Sequence, residues 1–559
     1  MRMENIFMKR CFLCKSKNTL IEFENKYICK ECYTKLFLCE ASYIAYQEWK
    51  VSINNFDTYE DDVDLVINRM LDDIKLESNN EKKQKLILKK IKDMIHLHLK
   101  YYNKDELYIA MLTIRESIRR LLLKDKSEYD WAIISDITTT TTLMNIIQNI
   151  ADDEYKDNAL GKLKNGASNL ITAICMARRY NTIKENIQLT KDEDIAINEI
   201  CFNPIETEET NKYFDKYLKN CIAEKPEDYI IKNTVLKDKL EKEGKTPDSI
   251  LESLREVVKN EFGFEKEDYR TLTISLMLME FPNEKMYWEY LKNHNKLFEN
   301  FPLIVIEKNI MEEVCGKEQL EAILNTFSIN RNINKCEFDK KLELLSFYEI
   351  GKFIIFGNFD FAQNISAFEK FLLSGDYIDV LKKNISKNEV FTKSQKKMSQ
   401  YLSICVADYL YYTGYKLPME KYKNTLIPRA EIDKIKVNGK QLLATCGDID
   451  VLALDSVKKI VILFEIKYYK PAISTTDMLY KDKRRIDKDK VIRKMEKREE
   501  IVYENIDEIV KYILGKYEPG YKVKSILLTP RTNYYAIKEE KLDYLTWVEF
   551  IEKADNNQL

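Results

Sequence analysis

Apolar residues recur at helical spacing through most of this chain. In residues 86–95, Leu86, Ile87, Leu88, Ile91, Met94 and Ile95 cover one face and lysines the other, the pattern of an amphipathic helix. Residues 117–123 and 249–258 behave similarly, and no fixed repeat period of the solenoid kind emerges. From about residue 391 the pattern changes, and helical segments alternate with short, β-rich apolar runs. Three regions are expected: a cysteine-paired module over residues 1–40, a large helical region over 41–390 with room for two subdomains, and a mixed α/β region over 391–559. The fold class is therefore multidomain and mainly α. Within the helical region, the five threonines at 138–142 are β-branched and weaken a helix, so a loop or buried turn is expected there. Further loops are expected near 203–204, 224–226, 244–247 and 281–283.

Composition agrees. A chain of 559 residues exceeds what one core serves, and 13 glycines with 10 prolines favour long helices over a sandwich or propeller. The 90 basic and 92 acidic residues nearly cancel, so local clustering rather than net charge must decide whether nucleic acid binds. No stretch is long and uncharged enough to span a bilayer or serve as a secretory h-region; a cytoplasmic protein without a membrane partner is expected. Eight of the twelve cysteines (Cys39, Cys175, Cys201, Cys221, Cys315, Cys336, Cys405 and Cys446) are scattered and read as reduced core residues.

The other four are not scattered. Cys11 and Cys14 form one CxxC, Cys29 and Cys32 a second, with fourteen residues between. Four thiolates so spaced suit tetrahedral Zn2+. Residues 19–23 and 26–28 read as a hairpin turning at Glu24-Asn25, and 33–50 as a helix. The arrangement resembles a treble-clef or zinc-ribbon module. Zinc there folds a segment too short to fold alone. Lys9, Arg10, Lys15, Lys17, Lys26, Lys30 and Lys35 give the module a basic surface that mildly favours nucleic acid.

The most informative stretch is 447–467. Residues 448–455 and 459–467 are short and apolar with a tight turn between, and are expected to pair as an antiparallel hairpin. Side chains alternate along a strand, so Asp448 and Asp450 share one face, as do Glu465 and Lys467. Charges inside an apolar strand need a reason, and a metal ion that neutralises clustered carboxylates supplies one.

An aspartate ahead of one strand and Glu465-Ile466-Lys467 at the end of the next resemble the PD-(D/E)xK, or restriction-endonuclease-like, superfamily. The resemblance covers the last third of the chain, where a helix at 394–413, a strand at 432–437, the Asn438-Gly439 turn, the hairpin, a charged helical stretch at 475–514 and a strand at 524–530 follow the order of its core. A closing helix is expected at 545–554. Carried over by position, the resemblance implies that Asp450, Glu465 and the Ile466 carbonyl hold Mg2+ (Mn2+ may substitute). Lys467 would orient the attacking water and stabilise charge on the phosphate. Many members add a glutamate from the first helix. This chain offers Gln395, Gln400, Ser403 and Asp408 there, leaving Asp408 or the later Glu420 as stand-ins.

Lysines and arginines at 481–498, among them Arg493, Lys494, Lys497 and Arg498, would suit phosphates or simply form solvated helix faces. Tyr468 could stack on a base, with packing against a helix the more ordinary role. His96 and His98 point apart on a helix and His294 is isolated, so no histidine metal site is expected. The expected function is metal-dependent phosphodiester hydrolysis, on DNA ahead of RNA, with restriction or defence against foreign DNA as an analogy. The helical region would receive a protein partner or signal. The alternative is a non-catalytic nucleic-acid-binding or interaction scaffold with a degenerate nuclease-like domain.

Overall fold

The computed structural model describes residues 10–11, 15, 17, 19–23, 26–72, 80–124, 131–155, 168–189, 207–222, 225–278, 303–332, 344–374, 385–432, 435–437, 440–441, 447–469 and 477–559. Over these residues the chain is mainly helical, with small sheets. It divides into two compact units, each assembled from separate stretches of chain. The first comprises Met1–Ile187, Ile197–Pro204 and Val258–Ala367, the second Gln188–Ala196, Ile205–Val257 and Phe368–Leu559. Residues 40 and 390, where region boundaries were expected, both lie inside units, and the second unit takes in residues of the helical region near 225–257.

In the first unit, β1 (Leu20–Phe23) and β2 (Lys26–Cys29) form an antiparallel hairpin that runs directly into α1 (Lys30–Asn54). Helices α2 (Asn80–Leu99), α3 (Lys104–Lys124), α4 (Trp131–Gln148) and α5 (Ser168–Leu189) build the core with α1. The stripe read in α2 is the one that is buried: Ile87, Ile91, Ile95 and Leu99 have no exposed surface. The threonine run, expected as a loop or turn, lies within helix α4. Thr140 and Thr141 both return their hydroxyls to the Ile137 carbonyl (2.8 and 2.9 Å), and Thr142 donates to Asn181 Oδ1 (2.8 Å). Burial of these methyls, with every hydroxyl partnered inside, offsets the rotamer cost of β-branching.

A sheet also appears inside the region read as helical. Strands β3 (Leu303–Glu307), β4 (Tyr348–Ile350) and β5 (Phe353–Gly357) pair antiparallel in the order β3–β5–β4. Gly351, at φ +57°, turns β4 into β5. Short apolar runs such as these fit a buried helix segment as well as a strand, and the partner strand lies far away in sequence. After β5, α6 (Asn358–Ser374) begins.

The second unit is built on α7 (Glu389–Tyr412), capped by Asn388 and ended at Gly414 with φ +97°. Its sheet orders as β6 (Val451–Asp455), β7 (Ile460–Ile466), β8 (Lys522–Thr529) and β9 (Tyr544–Thr546). β6 and β7 are antiparallel, and β7, β8 and β9 run parallel. Asp455 makes the hairpin turn: its Oδ1 accepts the amides of Val457 and Lys458 (both 2.9 Å). The strand expected at 432–437 is reduced to a bridge between Ile432 and Ile449 and the short Lys436–Val437 strand, and residues 438–439 lie outside the described set.

The charged stretch after β7 contains the helix Asp482–Asp489, α8 (Val491–Glu504) and α9 (Ile506–Leu514), and α10 (Trp547–Asp555) closes the chain. Leu452, Leu454, Val461 and Leu463 form one core with Val502, Ile509 and Val510 of α8 and α9. On the opposite face, Phe464 meets Phe550 of α10 edge-on at 5.7 Å. No described helix is long and apolar enough to cross a membrane.

Candidate functional sites

Cysteine comes first along the chain. Cys29 caps α1 at the end of β2 and its sulfur accepts the Cys32 amide at 3.4 Å, which places both thiols at the helix start. Cys11 joins them. The three sulfurs lie within 4.8 Å of one another and all three residues are buried. Soft donors this close, with a short hairpin between them, fit a structural metal such as zinc. Cys14 lies outside the described residues. Among the described residues this is the one group of three or more Cys, His, Asp or Glu close enough to hold a metal. His96 instead faces Glu154 (3.0 Å), and His98 meets Asn169 (3.0 Å); His294 lies outside the described set.

The second site grows from the hairpin. The register pairs Val451 with Phe464 and Leu452 with Leu463; carried one step further, it sets Asp450 opposite Glu465 on the face covered by α8. Asp450 Oδ2 accepts the Ile466 amide at 2.6 Å, tying the aspartate to the end of β7. Glu465 is 2% exposed, at the end of the apolar ladder, where an unpaired carboxylate would cost several kcal/mol. Two cations neutralise it. Lys467 Nζ lies 2.7 Å from Oε1, and Arg498 of α8 pairs with Oε2. Burial raises the Asp450 carboxyl above its ordinary range and Asp448 raises it further, whereas Lys467, the Ile466 amide and Arg498 lower it. Asp450, Glu465, Ile466 and Lys467 therefore come together, and Asp448 is exposed beside them.

The proposed stand-ins for a helix glutamate do not join them. Asp408 is buried and accepts from Tyr229 Oη (2.9 Å) and the amides of Lys232 (2.8 Å) and Asn233 (3.2 Å). Glu420 pairs with Lys239. Gln395 donates to the Leu373 carbonyl (2.8 Å), and Ser403 to the Ser399 carbonyl (3.4 Å). Gln400 holds Glu431 (3.1 Å), whose amide donates to the Asp450 carbonyl (2.8 Å). Burial raises the Glu431 carboxyl, and Asp450 and Asp448 raise it against Lys245 and Lys396. Glu431 is thus the additional acid that faces this site.

Arg498 is the residue that reading the sequence for charge placed with the solvated surface. A positional signal was available. Val491, Met495 and Val502 are the buried positions of α8, and Arg498 falls on their stripe at spacings of three and four. Tyr468 takes the packing role: its hydroxyl bonds Glu227 and its ring lies 5.8 Å from Arg531. Comparison with protein-family models, curated proteins and solved structures gives no match.

Proposed function

We propose that the second unit is a metal-dependent nuclease of the PD-(D/E)xK type. The observation that carries this reading is the hairpin register, which sets Asp450 against Glu465 with Lys467 on the same face. The donors fit a hard cation: two carboxylates and the Ile466 carbonyl, with remaining positions for water and phosphate, is the incomplete protein cage Mg2+ favours. Such an ion would lower the pKa of a bound water and polarise a phosphodiester.

The chain's own groups supply the rest. The Ile466 amide fixes Asp450, so the carboxylate is oriented before any ligand arrives. Lys467, 24% exposed at the strand end, is placed to orient water and to meet negative charge gathering on a phosphate oxygen. The site lies at the carboxyl end of β7, beside the parallel end of β8, where open α/β sheets commonly present ligands. DNA is the favoured substrate by resemblance to the superfamily.

The second reading, a binding scaffold without catalysis, is favoured by Arg498, because a guanidinium held on Glu465 neutralises that carboxylate without a metal. Cleavage of plasmid, linear and single-stranded DNA and of RNA with Mg2+ or Mn2+, beside Asp450→Ala and Lys467→Ala, separates the two. Cleavage lost in both variants supports the nuclease. Binding without cleavage by all three proteins supports the scaffold.

A further inference from the structure

We infer that Arg498 is a phosphate-holding residue kept on Glu465 until a divalent cation takes that carboxylate. The inference rests on the proposed nuclease reading and adds a residue that the motif does not contain.

The argument is one of charge. Asp450 and Glu465 carry two negative charges, and Lys467 and Arg498 carry two positive ones at the same place. A dication bound between the carboxylates would satisfy both of them. Lys467 and Arg498 would then lack an anion in a region where Glu465 is 2% exposed and the Arg498 side chain 12%. An arriving phosphodiester supplies that anion, and a guanidinium matches two phosphate oxygens with parallel N–H donors. Each state is balanced only with its own occupant, so metal and substrate binding should reinforce each other.

Geometry supports the exchange. Arg498 comes from α8, whose buried residues Val491, Met495 and Val502 fix its face toward the sheet. The guanidinium therefore cannot leave the site when it leaves Glu465. Gly447, at φ +77°, lies just before Asp450, and a Cβ there would sit 3.6 Å from Arg498 Nη2. The backbone thus borders the guanidinium closely and still leaves it space to turn.

Mn2+ binding measured by electron paramagnetic resonance, without nucleic acid, tests this on the full chain. Native protein, Arg498→Ala, Arg498→Gln and Asp450→Ala would be compared, with circular dichroism to verify folding. Removing the competing cation frees a charge-assisted bond, so Arg498→Ala and Arg498→Gln should bind Mn2+ about tenfold more tightly. Binding of a fluorescent oligonucleotide in Ca2+ should fall in the same two variants. If Asp450→Ala abolishes Mn2+ binding and neither Arg498 variant tightens it, Arg498 does not compete and the inference is overturned. Should Asp450→Ala bind Mn2+ as well as the native protein, the metal site is absent and the nuclease reading falls together with the inference. Tighter Mn2+ with unchanged oligonucleotide binding would leave Arg498 a competitor for metal and refute its role on phosphate.

Discussion

Asp408 gives the sharpest test of which carboxylates belong to the site. It sits on the first helix of the second unit, where a metal-binding acid would be sought, yet its oxygens are occupied by the Tyr229 hydroxyl and the Lys232 and Asn233 amides. Truncation to alanine removes three hydrogen bonds to a charged acceptor, each worth about 1.5–3 kcal/mol in isolation. Two effects reduce the sum. Burial raises the Asp408 carboxyl above its ordinary range despite these donors, so desolvation already offsets part of the gain. Lys232 is exposed, so its amide can turn to water. A net loss of about 2–4 kcal/mol follows, comparable with removing one member of a buried charged pair. With a urea dependence of about 3 kcal/mol/M, the unfolding midpoint should fall by about 1 M. Asp408→Asn, which keeps one acceptor oxygen, should lose less. The assay is urea unfolding followed by circular dichroism, paired with Mn2+ affinity measured on the folded protein. Unchanged stability with weakened metal binding would refute the reasoning and return Asp408 to the site.

Other perturbations probe the first unit and the cysteines. Zinc removal by a strong chelator, or Cys29→Ser, should release one bound metal per chain and lower the melting temperature; native-state mass spectrometry before and after chelation reads the metal directly. Gly357→Ala should destabilise by about 1–3 kcal/mol, since the new Cβ would lie 2.4 Å from Glu116 Oε2 and 2.8 Å from Glu116 Cβ; thermal denaturation measures it. Burial raises the Glu60 carboxyl to about 7, against the pull of Arg179 and Arg178 and with the push of Asp64 and Asp136. An acid raised in the folded state contributes stability that is fully present below the unfolded value of 4.5 and is lost as pH rises through about 7. Glu60→Gln should therefore flatten the dependence of stability on pH between 4.5 and 7, by at most about 1.4 kcal/mol per pH unit; denaturant midpoints across that range check it.

What the sequence revealed depended on how local each signal was. The β6–β7 hairpin was legible because its apolar strands, its turn and its embedded charges lie within about twenty residues, and Asp455 closes the turn with its own side chain. The CxxC spacing and the α7 boundary at Gly414 were legible for the same reason. The sheet β3–β5–β4 was not, because its strands are short and its pairing joins distant residues. Nor was the helical threonine run, whose stability comes from tertiary burial rather than propensity. At the site, Asp450, Glu465 and Lys467 followed from alternation along strands. Arg498 required reading position on the helix stripe before reading charge, and Glu431 required knowing that a half-formed strand meets Asp450.

The account's central claim is that Asp450, Glu465 and Lys467 form one hydrolytic site. The most direct test is the rate at which purified native protein and Lys467→Ala nick supercoiled plasmid in Mg2+, at matched concentration and confirmed folding. Losing a positioned charge that meets developing charge on phosphate should slow cleavage by about 10²-fold or more. Equal rates in the two proteins would contradict the claim, because cleavage would then owe nothing to the lysine at the end of β7.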